Sequence, residues 1–484
     1  MKKDWTTISM IAFCILFVLS HIPFLSVIPT NNANVYYDAV LAVLHNNLNP
    51  FVLFEGYKPP LLFLLAAGLF RIFQPSIIIG NLITTLSASL ALWFTYKLGT
   101  VLFHKKAGVV ATLTLCVFPL FLSHSFQFTD AMFVTPMLLA AMYYFYKNNK
   151  TGYLVSMTIA ILTRETSIFI PLLLTFIELF HTKKIKQLSL SKLVMIVLPL
   201  IPFIVWMGIN KQVFGWYLWP DNIKYFSFRF GTFIQQVGPH AKVALFDCGA
   251  IVFLTCITIF IALMLTKKIK TTWEQQHATI LFLLFAGINF CIVTNGPFHP
   301  RYMFSTYPFL SILAVGSLFM SMKPKIATLL TTIIIATFII YQALLYTLPL
   351  RYWGESDLSQ LRMASTFSKS FAFIHKEYPN ALITMIPKIY RYSDAAFGKT
   401  IGSVEYNTYT WNDTITSQEE LNVICDSAKK ASRFPIIFIH ESEVGDPVDE
   451  LPDKRLIGKI TVDDNNLRYH LLFQLNCPII NTLP

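Results

Sequence analysis

From residue 8 to residue 348 the chain alternates apolar runs with short polar connections; past residue 353 it changes to mixed polar and apolar positions. A helix needs about 20 apolar residues to cross a bilayer. Runs near that length predict spanning segments at residues 8–29, 77–98, 108–122, 131–146, 193–209, 244–266, 280–293, 302–320 and 326–348. Two shorter runs, 154–162 and 168–180, flank Thr163-Arg164-Glu165 and read as two short helices with the ionisable pair at their far turn. Together these make about eleven hydrophobic elements. The run 60–73 is too short to cross and predicts a helix lying at the membrane surface or dipping into it. Just before it, apolar residues at helical spacing (Val35, Ala39, Ala42, Val43) predict a second interfacial helix over 35–48. The aromatic-rich connection 211–243 (Trp216, Tyr217, Trp219, Tyr225) also suits the interface.

The change of pattern divides the chain into a membrane domain, 1–352, and an α/β domain, 353–484. In the second, 358–376 and 417–431 read as helices, the latter opened by the capping-box pair Ser417 and Glu420. Residues 381–386, 435–440, 456–462 and 467–475 read as strands, the last two a hairpin around Asp463-Asp464-Asn465-Asn466. His440, Glu441 and Glu443 read as the end of a strand on a solvated loop rather than as a metal cluster.

Composition agrees with a polytopic α-helical membrane protein: 55% of the 484 residues are hydrophobic and 13% charged, far from a soluble average. The net charge of +12 does not point to nucleic acid, because no compact basic domain carries it. Lysines cluster instead in short connections, around 97–106, 147–150, 183–186, 267–270 and 323–325. By the positive-inside rule those connections are cytoplasmic. The N-terminus is then cytoplasmic and the α/β domain extracytoplasmic. The first apolar run exceeds the usual signal-peptide core, so a retained span is expected. The seven cysteines show no metal spacing; Cys425 and Cys477, in the tail, are free to pair if the tail is extracytoplasmic.

Chemistry concentrates where apolar runs meet water on the side away from those lysines. Lys58, in Gly56-Tyr57-Lys58-Pro59-Pro60, precedes a proline and is pushed out of the helical region, while proline suits a first helical turn. The cation is thus held just before a helix, with Glu55 beside it. Arg164 lies at the turn of the two short helices, Arg301 opens a late span, and Asp130 opens the fourth, where Thr129 or Asp130 makes a good N-cap. Cations held at a lipid interface stabilise charge on a departing phosphate, and a carboxylate can take the proton of an acceptor hydroxyl. That combination suits sugar transfer from a lipid-linked phosphate by a single inverting displacement.

Four pieces resemble the polyprenyl-phosphate-sugar-dependent glycosyltransferases of the GT-C superfamily, near the protein O-mannosyltransferases and the aminoarabinose transferase of lipid A. They are Gly56-Tyr57-Lys58-Pro59-Pro60-Leu61-Leu62, Phe128-Thr129-Asp130-Ala131, Leu162-Thr163-Arg164-Glu165 and Arg301-Tyr302. The resemblance implies that Lys58, Arg301 and Arg164 contact the donor phosphate and that Asp130 is the acid of the second outer loop. Asn32, Asn34, Tyr57, Glu165 and Tyr302 are the expected contacts to sugar or acceptor. Implied partners are a polyprenyl-phosphate sugar, membrane lipid and an extracytoplasmic protein, lipid or polymer acceptor. One departure matters: the family has an acidic residue early in the first outer loop, whereas this chain has asparagines in Thr30-Asn31-Asn32-Ala33-Asn34. Asparagine orients a hydroxyl but is no general base. The catalytic carboxylate is then Asp130, Asp38 or Glu55, unless the chain is inactive. The missing acid weakens the case for a divalent cation, the one cofactor left open. Two other readings stand: a transporter or flippase for an anionic lipid or solute, although no inverted repeat is evident, and a non-catalytic subunit.

Overall fold

The structure, a computed structural model, describes residues 4–27, 32–52, 58–181, 190–217, 229–295 and 300–347, the positions Lys369, Phe373, Lys376 and Glu377, and four strands between 382 and 475. By length and composition, five described helices can cross a membrane: Trp5–Phe24, Ile77–Leu102, Trp273–Thr294, Pro300–Ser321 and Pro324–Leu344. Two bent pairs, Leu190–Val197 with Leu200–Phe214 at 44° and Phe230–Phe246 with Ala250–Leu265 at 90°, bring the number to seven if each is one span. The expected eleven hydrophobic elements therefore do not all reach spanning length. Lys105–Cys116, Asp130–Tyr146, Lys150–Ile161 and Phe169–His181 have 12, 17, 12 and 13 residues.

The helices that position the site are α1 (Trp5–His21), α2 (Asn32–His45), α3 (Leu61–Phe73), α4 (Ile77–Leu102), α5 (Lys105–Cys116), α6 (Pro119–His124), α7 (Asp130–Tyr146) and α8 (Lys150–Ile161). The third predicted span, 108–122, is broken into α5 and α6. Phe118 precedes Pro119 and is extended, as sterics before proline require. The predicted helix 35–48 starts and ends earlier, at Asn32–His45, because Asn47 and Leu48 take positive φ and stop it. The connection 211–243 begins inside the helix Leu200–Phe214 and is helical again at Phe230–Lys242; Trp219 and Tyr225 lie outside the described residues.

Helix α4 fixes the two ends of the bundle. Its 26 residues span about 39 Å at 1.5 Å per residue, against a hydrocarbon core of about 30 Å. At its start the Tyr37 hydroxyl donates to the Ile77 carbonyl at 2.7 Å. There α2 and α3 pack on each other through Tyr37, Val40, Phe63, Ala67 and Phe70, and against Phe128 and Phe133. At its far end lie the lysine-rich connections: Lys105 pairs with Asp4 at 2.7 Å, the Tyr146 hydroxyl meets His277 at 2.8 Å, and His104 packs edge-on to Phe319 with centroids 5.1 Å apart.

Helices α4 and α5 approach through glycine. A Cβ on Gly108 would lie 2.6 Å from both the Tyr96 carbonyl oxygen and the Thr100 hydroxyl. Gly108→Ala is therefore expected to destabilise the protein. The overpacking penalty of about 1–3 kcal/mol outweighs the about 0.5–1 kcal/mol that alanine adds in a helix. A lower melting midpoint in detergent checks this.

Past the bundle, β1 (Leu382–Met385), β2 (Ile436–Glu443), β3 (Lys454–Thr461) and β4 (Arg468–Leu475) form one sheet in the order β1-β2-β4-β3. The pair β1–β2 is parallel, and β2–β4 and β3–β4 are antiparallel. His440, Glu441 and Glu443 are within β2, not beyond its end. The predicted helix 417–431 lies outside the described residues, as do Cys425 and Cys477, and 358–376 is described at only three positions.

Candidate active site

The site begins at the corner before α3. Pro60 is the N-cap residue of α3, and the freed backbone N–H of Leu61 donates to the Leu162 carbonyl at 3.1 Å. That bond ties the Lys58-Pro59-Pro60 corner to the end of α8, two residues before Arg164. A 3₁₀ turn, Glu165–Ile168, follows. The Thr129 hydroxyl accepts from the Met132 N–H at 3.4 Å, capping α7 and fixing Asp130 as its first residue.

These corners meet. Lys58 Nζ donates to Asp130 Oδ2 at 2.6 Å and to the Tyr36 hydroxyl oxygen at 3.0 Å. The Tyr36 O–H in turn donates to Asp130 Oδ1 at 2.8 Å. The Lys58 and Asp130 side chains are 13% and 4% exposed, so the charges attract with little screening by water. Burial, reinforced by the Asp130 charge, pushes the Tyr36 phenol well above its ordinary pKa, against the opposing pull of Lys58 and Arg301. Tyr36 thus stays a neutral donor.

Two further cations complete the cluster. The Arg164 and Arg301 guanidiniums lie 5.8 and 5.1 Å from the centre of the Tyr302 ring, and both residues are buried. Arg164 acts on Asp130 and Arg301 on Tyr36 through their charges. Even counting Glu165 at the adjoining turn, positive charge is in excess. Arg164 Nη1 is buried without a hydrogen-bond partner among the described residues. Surplus positive charge with an unused donor suits an incoming anion.

Of the residues expected at the site, Lys58, Asp130, Arg164, Arg301 and Tyr302 come together, and Glu165 adjoins them. Asn32, Asn34 and Asp38 lie on α2, the helix that also carries Tyr36. Glu55 and Tyr57 fall outside the described residues. Tyr36 was missed. It stands beside the asparagine stretch, but nothing in the sequence signals a partner 94 positions away. Tyr36→Phe removes a donor from Asp130 and an acceptor from Lys58. It is expected to cost about 1–3 kcal/mol of stability, measured as a fall in melting midpoint.

Residues 57–206 match the family model described as dolichyl-phosphate-mannose-protein mannosyltransferase. That span holds Lys58, Asp130, Arg164 and Glu165, and stops short of Arg301. The structure superposes on ArnT from Cupriavidus metallidurans in the apo state with a TM-score of 0.56 at 11% identity, covering 96% of this chain and 98% of that one. The chain has the GT-C glycosyltransferase fold. The same enzyme bound to undecaprenyl phosphate gives a TM-score of 0.55 at 11% identity, over 98% of each chain. The archaeal oligosaccharyltransferase AglB from Archaeoglobus fulgidus, solved with an inhibitory peptide and a dolichol-phosphate, is more distant at 0.49 and 12% identity, covering 90% of this chain and 69% of that one. No curated protein sequence matches the chain.

The described residues of this GT-C fold do not fit a divalent cation. No three His, Cys, Asp or Glu side chains among them come together, and both Asp130 oxygens are engaged by Tyr36 and Lys58.

Proposed function

We propose that the chain is a membrane glycosyltransferase that moves a sugar from a polyprenyl-phosphate donor to an extracytoplasmic acceptor with inversion. The observation that carries this reading is the convergence of Lys58, Arg164 and Arg301 around Asp130, Tyr36 and Tyr302 in a chain of GT-C fold. The lysine-rich connections at the opposite end of α4 support a cytoplasmic N-terminus, which puts the cation cluster at the outer leaflet. On the same reasoning, residues 353–484 form an extracytoplasmic α/β domain that contacts acceptor or partner proteins.

In the reaction the acceptor oxygen bonds to the anomeric carbon while the bond from that carbon to the phosphate oxygen breaks. The electron pair leaves on the phosphate, where Lys58, Arg164 and Arg301 neutralise it. Asp130 first acts as a positioning residue, since Lys58 and Tyr36 occupy both its oxygens. When the donor phosphate draws Lys58 away, Oδ2 is released to take the acceptor's proton; Asp38 and Glu55 are the alternative bases. Transfer from radiolabelled polyprenyl-phosphate sugars in membranes tests the reading. Wild type should transfer, while Lys58→Ala and Asp130→Asn at normal expression should not. Concentrative uptake into proteoliposomes without transfer would make the protein a transporter. Lipid-phosphate binding without transfer would make it a non-catalytic subunit, a reading the asparagines at 32 and 34 favour.

A further inference from the structure

Tyr36 and its neighbour Tyr37 face different ways. One step along a helix turns the chain by about 100°, so adjacent side chains do not share a face. Tyr36 reaches Asp130 and Lys58, while Tyr37 drops into a seat made by the first turn of α4. There its hydroxyl donates to the Ile77 carbonyl at 2.7 Å, and its ring lies against Gly80. A Cβ on Gly80 would come within 2.5 Å of Tyr37 Cζ and 2.8 Å of Cε1, and closer still to the hydroxyl. The ring has no room to swing aside. Tyr37 is buried, with Phe70 stacked on it at 6.2 Å and Phe128, two residues before Asp130, at 5.2 Å between centroids. The next residue of the seat, Asn81, holds the chain that leads into α2. Its Nδ2 donates to the Leu25 and Val27 carbonyls at 2.9 and 3.0 Å.

This seat fixes the rotation of α2 about its own axis. A helix with its side chains is about 10–12 Å across, so a turn of about 20° carries an outer atom by about 2 Å. A displacement of that size would break both bonds of the Tyr36 hydroxyl, now 2.8 and 3.0 Å, since such bonds do not extend much beyond about 3.2 Å. We propose that Tyr37 and Gly80 are positioning residues for the site: Tyr37, held in the Gly80 notch, sets the angle at which Tyr36 meets Asp130 and Lys58. The inference rests on the reading of Asp130 as the group that takes the acceptor's proton. Once Lys58 turns to the phosphate, the Tyr36 O–H on Oδ1 keeps that carboxylate aimed, and aim is a large part of the rate. Glycine weakens a helix; at position 80 it makes the room that Tyr37 needs.

Coupling between variants of the full chain in nanodiscs tests this. Gly80→Ala overfills the notch and turns α2, so Tyr36→Phe then has little left to remove. The fall in melting midpoint that Tyr36→Phe causes in wild type should shrink by at least half in the Gly80→Ala background. It should persist in full beside Gly68→Ala, whose Cβ meets nothing within 4 Å. Sugar transfer from radiolabelled mannosyl-phosphoryl-undecaprenol and glucosyl-phosphoryl-undecaprenol is the second readout. Gly80→Ala and Tyr36→Phe should each lower kcat about tenfold, the value of one hydrogen bond, with KM for the donor little changed. The two together should be no slower than either alone. Simple packing gives the reverse: an undiminished cost of Tyr36→Phe beside Gly80→Ala and rate losses that multiply, and either result overturns the proposal. A wild type that transfers no sugar overturns the proposed reaction instead, and the melting comparison alone then decides whether the seat sets Tyr36. If Gly80→Ala does not accumulate, Tyr37→Phe takes its place, removing the hydroxyl anchor without filling the notch. It should still reduce the cost of Tyr36→Phe, and an unchanged cost refutes the assignment.

Discussion

Lys58→Ala is expected to abolish sugar transfer and to destabilise the ligand-free protein by about 3–5 kcal/mol, the cost of stranding a buried charge. The carboxylate left behind, Asp130, is 4% exposed and among the described residues would keep only the Tyr36 hydroxyl, at 2.8 Å, as a hydrogen-bond partner. Asp130→Asn takes the carboxylate from Lys58, which keeps the Tyr36 hydroxyl at 3.0 Å, so the loss should be smaller. Activity loss in either variant alone would therefore be ambiguous, since a partly unfolded enzyme is also inactive. The double variant Lys58→Ala/Asp130→Asn separates the two effects. With neither charge present nothing is stranded, so its melting midpoint should return to within about 1 kcal/mol of wild type, a strong coupling for residues in direct contact. Transfer should stay absent, because no cation remains at the corner of α3 to meet the phosphate. A double variant whose destabilisation equals the sum of the singles would mean that the pair contributes no coupling. One that recovers transfer would remove Lys58 from the chemistry.

The contrast between what sequence showed and what it hid follows from range. Lys58 was legible because two prolines dictate local backbone, and the break in the 108–122 run was legible in principle at Pro119, where apolar composition masked it. Thr129 as a cap for α7 is likewise a local rule. The strands were readable from alternation, and the hairpin partners β3 and β4 pair as neighbours in sequence do. Tyr36 was not legible, since its role depends on α2 folding back over Asp130. Nor was the bond from Leu61 N–H to the Leu162 carbonyl, a backbone contact between distant segments that leaves no residue signature. Of the apolar runs counted in the sequence, five described helices, or seven with the two bent pairs, are long and apolar enough to span.

Arg164→Met should have the opposite effect on stability from Lys58→Ala. Its guanidinium is buried, with Nη1 unbonded among the described residues, and shares the Tyr302 ring with the like charge of Arg301. Without ligand, its attraction to Asp130 is set against desolvation and that repulsion. Methionine fills comparable space without charge, so the ligand-free melting midpoint should rise, by about 0.5–2 kcal/mol, as when a strained functional residue is relaxed. Transfer should nevertheless fall about 10²–10³-fold, the usual cost of one donor to a charge that develops during reaction. Linkage supplies an internal control, because a ligand that binds only the folded state raises stability according to its affinity. Undecaprenyl phosphate should raise the melting midpoint of wild type more than that of the variant, so the ranking of the two proteins narrows or reverses as lipid is added. If Arg164 were a structural anchor, the variant would instead melt lower than wild type at every lipid concentration. Differential scanning fluorimetry across a lipid titration distinguishes these outcomes without any knowledge of the sugar or the acceptor.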